Sequence, residues 1–576
     1  MKKISRILLY LALGLASNPL YAQNTDIITS KDYPQGYFRK ALNIPADASG
    51  NFGELRSTHF HAGDDYRTQQ RIGLPLHAAA DGYVSRIRVQ IGGGGNSVYI
   101  THPNGYTSVY LHMDHFNAAL TKLVRAAQYK QKRFDVDLEV EPGTLTLKQG
   151  EYFGNAGNTG GSAGPHLHFE IRDSKTQHPL NPQLFGLRFT DNSYPSISSI
   201  LVYDLNNTVF DEHTPRRPIT VKAAGKGVYT LNQSAPIQVN GKFGLGINTI
   251  DHHRAGGFRQ GVYSIELFID NKPVSTVVFE ELDYNTSGGI LSYIDYPYWL
   301  TNKAKIQKSF KDPGNPIEIF RDLENNGVLT LNDNKVHEAK YVVKDVAGHS
   351  SSLSFKIQNT TATAKAAQKL RGVTLFAYKQ DNNFQKPDLQ LQMPKGVLYT
   401  DLDFQYSKAA QPKDGYSPVH RVHNKFTPLF SSYNLRIKPS NLPEHLHDKA
   451  LIASLEHGSE GGWYENGWVT VNTKNFGNFY VTVDTVAPSI TPRNLSNGKH
   501  IGNQKQLDFT IHDEFSGIQS FDGYIDGEWV LMEYDSKNRH LWHRLNPALS
   551  SGSHSFKLVV KDWKDNEKVY QAKFVK

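Results

Sequence analysis

The chain has 576 residues, of which 38% are hydrophobic and 20% are charged, and it contains no cysteine. This length indicates several domains, each large enough for its own core, and the mixed composition excludes a polytopic membrane protein and a wholly disordered chain. The absence of cysteine excludes disulfide frameworks, thiolate metal sites and cysteine nucleophiles. Any metal ion would therefore be held by histidine and carboxylate side chains.

The first 22 residues are predicted to form a secretory signal peptide. Lys2, Lys3 and Arg6 precede an uninterrupted apolar run at 7–16, and Ala22 is a small residue at a polar boundary. The run is too short to span a bilayer. Removal of the three cations would lower the formal net charge from +8 to +5. We therefore expect an exported protein, located in the periplasm, the cell envelope or outside the cell, whose mild charge does not indicate nucleic-acid binding.

Residues 23–188 are predicted to form a mainly β domain of antiparallel sheet. Short alternating runs such as 82–89 and 97–101 are broken by glycine, asparagine and proline, which is typical of strands joined by turns. The segment 115–148 differs, because apolar residues first recur at helical spacing and then alternate up to a Glu-Pro-Gly turn. This pattern predicts an inserted helix and hairpin, which would either wall a substrate groove or pack other domains against this one.

The rest of the chain is predicted to form about three β-sandwiches. Three landmarks occur twice in the same order: 191–197 matches 484–490, 268–271 matches 524–527, and 342–345 matches 559–562. Such a repeat with strand-like alternation favours two immunoglobulin-like sandwiches, the first with an insertion between its second and third landmarks. The predicted boundaries are 189–358 for the first copy, 359–368 for an Ala/Thr-rich linker, 369–483 for a sandwich of uncertain type, and 484–576 for the second copy.

Three short segments of the N-terminal domain carry residues suited to metal chemistry. In a strand, residues two apart face the same side, so His166 and His168 can both point into one groove. Two imidazoles and one carboxylate leave the fourth tetrahedral position of zinc open, which is the ligand count of a catalytic site. Each segment alone is a weak signal, and only their joint occurrence is informative. The segments are 61–65 (HAGDD), 110–112 (YLH) and 157–171 (GNTGGSAGPHLHFEI).

Together with residues 73–84, these segments resemble the lysostaphin/LytM-type zinc metallopeptidases, which cut the peptide part of peptidoglycan. The resemblance covers about 52–182 and implies one zinc ion held by His61, Asp65 and His168. It also implies that His112 and His166 are the catalytic pair that does not bind the metal, either of which could be the base. The expected function is that of a secreted zinc endopeptidase with peptidoglycan as its partner.

Two other functions compete with this hypothesis. One is a catalytically silent regulator or adaptor of another wall hydrolase, and the other is a wall-binding adhesion protein. Silent relatives typically lose metal ligands, whereas all five positions are filled here, which favours the enzyme.

Six further residues of this chain need an interpretation. Asp64, beside a predicted ligand, is expected to be exposed, and Glu170 is expected to support His168. His252 and His253 are expected to form a solvated pair, as are the histidines at 445 and 447.

Overall fold

The computed structural model describes residues 27–206, 209–360 and 374–576. The predicted signal peptide and positions 361–368 of the predicted linker lie outside these ranges. The described residues form mainly β-strands arranged in several sheets, which confirms the predicted fold class. No helix in the described ranges is long and apolar enough to cross a membrane.

The N-terminal domain is built on one sheet whose central order is β1-β2-β10-β6-β5-β4-β7. Its strands pair in antiparallel fashion, and a hydrophobic core lies beneath them. The elements are β1 Ala48–Gly50, β2 Asp64–Arg67, β3 Pro75–His77, β4 Gly82–Val89, β5 Asn96–Thr101, β6 Tyr106–Phe116, α1 Ala118–Gln131, β7 Val136–Glu139, β8 Thr146–Leu147, β9 Tyr152–Ala156, β10 His166–Asp173 and β11 Pro179–Leu180.

The inserted segment contains the expected helix but not the expected hairpin. Helix α1 begins after Asn117, whose side chain accepts a hydrogen bond from the Leu120 amide, and it buries Leu120 and Val124. Strands β7 and β8 both pair with β4, at positions 86–89 and 82–83 respectively, so they do not pair with each other. The hairpin prediction was wrong because the long free edge of β4 supplies hydrogen-bond partners for both strands.

The first repeat copy forms a larger β-structure with two short helices. Its elements are β12 Ser196–Asp204, β13 Arg216–Gly225, β14 Val228–Leu231, β15 Ile237–Val239, β16 Lys242–Ile250, β17 Ser264–Ile269, β18 Lys272–Val278, α2 Ile290–Tyr293, α3 Tyr296–Asn302, β19 Gln307–Lys308, β20 Phe320–Leu323, β21 Leu329–Thr330, β22 Val336–Lys344 and β23 Ser350–Asn359. Helices α2 and α3 and strands β19–β21 lie between the second and third repeat landmarks.

Two further β-structures follow. The third comprises β24 Thr374–Phe376, β25 Asn382–Lys386, β26 Leu389–Met393, β27 Leu402–Phe404, β28 Tyr406–Ala409, β29 Val419–Val422, β30 Tyr433–Ile437, β31 Ala450–Ser454, β32 Gly458–Gly461, β33 Trp463–Glu465, β34 Trp468–Thr473 and β35 Gly477–Val483. The fourth comprises β36 Ser489–Pro492, β37 Lys499–His500, β38 Gln506–His512, β39 Ile518–Ile525, β40 Glu528–Val530, β41 Glu533–Asp535, β42 His540–Arg544, β43 Ser553–Asp562 and β44 Glu567–Val575.

The first repeat copy and the fourth β-structure share their strand pairing. In the first repeat copy β22 lies between β17 and β23, and β15 runs parallel to β23. In the fourth structure β43 lies between β39 and β44 in the same way, and β37 runs parallel to β44. The repeated sequence landmarks therefore correspond to equivalent positions in two related structures.

The first repeat copy is joined to the N-terminal domain through a shared core. Phe52 and Phe60 belong to the N-terminal domain by sequence, yet both are buried in the core of the repeat copy. The Phe60 ring lies 5.5 Å from that of Phe279 and 5.9 Å from that of Tyr293, centroid to centroid. The Phe60 amide also donates to the Ser287 hydroxyl at 3.0 Å. The loop that leads into His61 is thus anchored in the neighbouring domain.

The fourth structure packs on the inserted helix. The Arg125 guanidinium on α1 pairs with Glu533 at 2.7 Å, and the ring of Tyr129 meets that of Trp529 edge-on at 5.5 Å. Lys537 donates to the Gly160 carbonyl at 3.3 Å. Of the two uses predicted for the inserted segment, the structure shows the packing of another domain.

Candidate metal centre and active site

Three adjacent strands bring the predicted site residues together. Strand β10 lies between β2 and β6, and His168 is directly opposite Asp65 on one side and Leu111 on the other. Residues opposite each other across strands point to the same face of a sheet. Leu167 and Phe169 point to the other face and are buried in the core, as the alternation predicts. The register therefore places the HAGDD and HLH segments side by side.

The atoms of the predicted ligands converge on one point. His61 Nε2 lies 3.0 Å from Asp65 Oδ1 and 3.0 Å from His168 Nδ1, and His168 Nδ1 lies 2.9 Å from the same carboxylate oxygen. All three residues are buried. Ligands about 2.0–2.1 Å from a tetrahedral zinc ion lie roughly 3.3 Å apart, so the spacing is close to that of a bound set.

The hydrogen bonds of the two imidazoles show that this arrangement suits a cation. His61 Nδ1 lies 2.8 Å from the Asn51 carbonyl, and His168 Nε2 lies 2.9 Å from Glu170 Oε1. Each outer nitrogen faces an acceptor and so carries the proton, which leaves lone pairs on His61 Nε2 and His168 Nδ1. In these tautomers two lone pairs and a carboxylate oxygen face one another within 3.0 Å, and they repel unless a positive charge lies between them. Although burial opposes protonation, hydrogen bonds with Asp65 and Glu170 raise the pKa of His168 to about 9, which shows that the cluster favours a positive charge. The residues present therefore fit a metal ion.

A glycine and a buried carboxylate support the HAGDD segment. A Cβ atom at Gly63 would lie 2.3 Å from the Phe169 carbonyl oxygen and 2.9 Å from His168 Nε2, so only glycine permits this close approach. Asp64 is fully buried, and its carboxylate accepts a hydrogen bond from the Phe52 amide at 3.1 Å. The prediction that Asp64 is exposed was wrong because its carboxylate is buried against the Phe52 amide, a contact that the local sequence does not reveal.

His112 and His166 flank the ligand set with matching hydrogen bonds. His112 Nδ1 lies 2.8 Å from the Thr159 carbonyl, and His166 Nδ1 lies 2.9 Å from the Gly164 carbonyl. In the neutral form of each ring, Nε2 therefore carries the lone pair. The two rings are 4.8 Å apart, and His166 Nε2 is 3.4 Å from Asp65 Oδ1. The structure thus brings all five predicted site residues into one cluster.

The backbone at His112 explains how its side chain reaches this cluster. His112 has a φ of +61°, and the pairing register of β6 shifts between Met113 and His115. A left-handed non-glycine residue is strained and is found mainly where surrounding structure imposes it. Here the His112 amide donates to the Gly94 carbonyl at 2.8 Å. Gly94 lies in a run of four glycines at 92–95. The irregularity allows Leu111 and His112 both to line the groove.

Burial and the neighbouring imidazoles control the charge of His112. Burial, followed by the charges of His168 and His166, lowers the pKa of His112 to about 3. The imidazole is therefore neutral near pH 7 and able to accept a proton.

Behind His168 lies a hydrogen-bonded chain that ends in the neighbouring domain. Glu170 accepts from His168 through Oε1 and from Arg172 Nε through Oε2, at 2.9 Å and 2.6 Å. Although burial opposes ionisation, the charge of Arg172 and the bond from His168 keep the pKa of Glu170 at about 2. The Tyr284 hydroxyl, 114 residues away, donates to Glu170 Oε1 at 2.7 Å. Glu170 supports His168 as predicted, whereas nothing in the sequence pointed to Tyr284.

Removing the Tyr284 hydroxyl is expected to weaken metal binding without unfolding the chain. In Tyr284→Phe the ring still lies under Arg172, whose guanidinium carbon is 4.8 Å from the ring centre, but Glu170 loses a donor. Loss of such outer support typically costs 10–100-fold in metal affinity, and we expect about tenfold here. Competition with a chromogenic chelator measures this. Tyr129→Phe, at a half-exposed tyrosine far from the metal ligands, serves as the control, and equal affinities would contradict the prediction.

The cluster opens into a groove of about 1000 Å³. Its floor includes the site histidines, and its walls include Phe258 and Tyr284 from the first repeat copy. The inserted segment 115–148 contributes no residue to this lining. Five arginines face the groove, and each pairs with a carboxylate that holds it in place; they are Arg56, Arg67, Arg86, Arg88 and Arg172.

Two parts of the chain match family models. Residues 59–129 match the model of peptidase family M23, and residues 373–484 match that of a Zu5-like domain. The chain therefore contains a peptidase family M23 domain, which confirms the resemblance found in the sequence. Membership of this family implies a metal ion.

Similar individual proteins match part of this chain. An uncharacterized metalloprotease of Haemophilus influenzae is 30% identical over 187 residues, which are 31% of this chain and 32% of that protein. The peptidoglycan DD-endopeptidase ShyC of Vibrio cholerae is 34% identical over 111 residues, which are 19% of this chain and 20% of that protein. The chain thus spans about a third or less of the relatives' length. The catalytic domain of the M23 protein EnpA from Enterococcus faecalis is 24% identical, with a TM-score of 0.20, and the match covers 26% of this chain and 99% of that domain.

Proposed function

We propose that the chain is an exported zinc endopeptidase that hydrolyses peptide bonds in peptidoglycan. The observation that carries this proposal is the convergence of His61, Asp65 and His168 on one point, beside the two further imidazoles of His112 and His166. Two imidazoles and one carboxylate are the ligand set of a catalytic zinc ion with an open position. A single zinc ion is enough to bind all three of these residues.

The chemistry divides between the metal and the two flanking histidines. A bound zinc ion would supply an acidified water and a polarised amide carbonyl. His112 and His166 both present Nε2 to the groove, because each Nδ1 is held by a backbone carbonyl. One of them, with a free lone pair on Nε2, accepts the proton of the attacking water, and the other, protonated on Nε2, donates to the leaving amine or the developing oxyanion. The carbonyls of Thr159 and Gly164 hold a proton on each Nδ1, so proton transfer takes place at Nε2 of both rings.

The groove favours a peptide substrate that carries carboxylates. Five arginines line it, against the acidic lining residues Asp65 and Glu170, which already serve the metal site. Guanidinium groups held in fixed positions recognise carboxylates in a bidentate manner. The peptides of peptidoglycan carry free carboxylates, and the name of the Vibrio relative specifies peptidoglycan. The substrate is therefore proposed to be the stem peptide or its cross-link.

Digestion of purified sacculi tests this function. The zinc-loaded chain from residue 23 onwards is incubated with sacculi, and the released muropeptides are analysed by mass spectrometry. We expect new amine ends from the native chain and none from His168→Ala, while His178→Ala, at a histidine outside the ligand set, retains activity. Equal release by the native chain and His168→Ala would overturn the proposal. Binding to sacculi without cleavage would instead support the adaptor function.

A further inference from the structure

A second cluster of metal-ligating side chains lies at the junction of the N-terminal domain and the first repeat copy. Asp191 comes from the connection between these two parts, and Asp251 and His253 follow strand β16. One ligand atom from each of the three residues lies within 4.8 Å of the other two. Asp251 is 1% exposed and His253 is 9% exposed. The sequence-based interpretation of His253 as a solvated residue was wrong, since a neighbouring domain covers it.

Two buried oxygens beside this cluster lack hydrogen-bond donors. Asp251 Oδ1 and Gln260 Oε1 are both buried without a partner among the described residues. Asp251 and Gln260 face each other in an antiparallel bridge, so their side chains lie on the same face. Buried acceptors are nearly always satisfied, and two unsatisfied ones on one face indicate a missing positive group.

The second repeat copy shows how the equivalent carboxylates are satisfied elsewhere. Asp484, Asp513 and Asp562 form the corresponding cluster. There Asp562 accepts from the Asn566 amide group at 2.8 Å, and the buried ammonium of Lys564 interacts with the charges of Asp484 and Asp562.

In the first copy the residues at the positions of Lys564 and Asn566 are alanine and histidine. Asp345 corresponds to Asp562, so Ala347 and His349 occupy the two places. The lysine charge therefore has no counterpart at that position. Burial, followed by the charges of Asp191 and Asp345, raises the pKa of Asp251 to about 8, which shows how poorly this carboxylate is compensated.

We propose that Asp191, Asp251 and His253 bind a second divalent transition-metal ion, of the Mn²⁺ or Zn²⁺ class, with Gln260 Oε1 beside it. Two carboxylates and an imidazole suit these ions, whereas Ca²⁺ prefers oxygen ligands alone. The site does not depend on the proposed peptidase activity.

The position of this ion gives it a structural role. The His253 ring stacks on Phe189 at 5.2 Å, and Phe189 packs against Tyr66 at 4.9 Å. Tyr66 follows Asp65 in strand β2. An ion held by Asp191, Asp251 and His253 therefore fixes the connection between the two domains and supports the strand that carries a ligand of the first site.

Metal stoichiometry tests the proposal without an activity measurement. The native chain, Asp251→Asn, His168→Ala and the double variant are dialysed against Mn²⁺ or Zn²⁺, and bound metal is measured by elemental analysis. We expect Asp251→Asn to lose one equivalent, relative to the native chain, in both the native and the His168→Ala backgrounds. Asp513→Asn, the matched change in the second copy, is expected to lose none.

The outcomes separate the two metal sites. Unchanged metal content in Asp251→Asn would overturn the second site, whatever His168→Ala does. Unchanged content in His168→Ala would overturn only the proposed catalytic zinc. Circular dichroism checks that the variants are folded, and His253→Gln provides a second variant that is expected to lose the same equivalent. In the His168→Ala background, which lacks the first site, added Mn²⁺ is also expected to raise the Tm, but not after the further change Asp251→Asn.

Discussion

Replacing His112 by alanine is expected to lower kcat on peptidoglycan at least a hundredfold while leaving the first metal ion bound. A positioned general acid or base contributes about 10²–10⁴-fold to the rate. The His112 ring lies 4.8 Å from that of His166 and is not among the converging ligand atoms, so its loss leaves the metal ligands in place. Steady-state kinetics and metal analysis of the same preparation measure both quantities.

His115→Ala is the matched control for His112→Ala. His115 lies three residues along the same strand, and its side chain is exposed. This variant is expected to keep native kcat. A His112→Ala protein that retained native kcat, or that lost its metal together with its activity, would contradict the assignment of His112 as a catalytic residue outside the ligand set.

The pH profile adds a separate expectation for His112. Burial, with the charges of His168 and His166, lowers its pKa from the usual value of 6.5 to about 3. A histidine with a lowered pKa stays neutral until the pH falls through that value, so protonation of His112 cannot reduce activity between pH 5 and 8. If kcat/KM of the native chain falls between pH 8 and 5, a group other than His112 causes that fall. The residual kcat/KM of His112→Ala is therefore expected to fall over the same interval. The absence of this fall in His112→Ala would contradict the low pKa.

Replacing Phe60 by alanine is expected to lower the free energy of unfolding by about 3–5 kcal/mol, the usual cost of truncating a buried phenylalanine. Phe60 is 1% exposed and packs against Phe279 and Tyr293. Because His61 is the next residue, the same change is expected to weaken binding of the first metal ion. Urea titration measures the stability, and chelator competition measures the metal affinity.

Phe258→Ala is the control for the truncation of Phe60. Phe258 is 50% exposed, so its loss is expected to change the free energy of unfolding by less than about 0.5 kcal/mol. If Phe60→Ala lost stability but bound the first metal with native affinity, the anchoring of the metal-site loop by the neighbouring domain would be contradicted. If both variants had native stability, the shared core itself would be contradicted.

These contacts explain why the first repeat copy carries an insertion that the second copy lacks. Ser287 and Tyr284 lie in it, and Lys305, also within it, donates to the Arg56 carbonyl at 3.0 Å. All three contact residues that lead to or support the metal ligands. The site is therefore assembled by two domains, and the M23 segment by itself contains only part of the structure that holds it.

The sequence by itself predicted the fold class, and its resemblance to a known family named the five residues that the structure brings together. Strand alternation places His166 and His168 on one face, and a domain without cysteine has only histidines and carboxylates to hold a metal. The link between Glu170 and His168 also follows from alternation, because the two residues lie two apart in β10. Signals of this kind are local, and a single strand or turn is enough to produce them.

Only the tertiary structure decided which other residues join these five. Tyr284 reaches Glu170 from 114 residues away, Asp64 is fully buried against the Phe52 segment, and the buried ring of His253 stacks on Phe189. Strands β7 and β8 pair with β4 in preference to each other. The burial of a side chain and the choice of its hydrogen-bond or strand partner depend on segments that are distant in the sequence. A local sequence pattern therefore cannot predict them. The proposed metal ligands are thus predictable from the sequence, whereas the contacts that orient them depend on the domain interface.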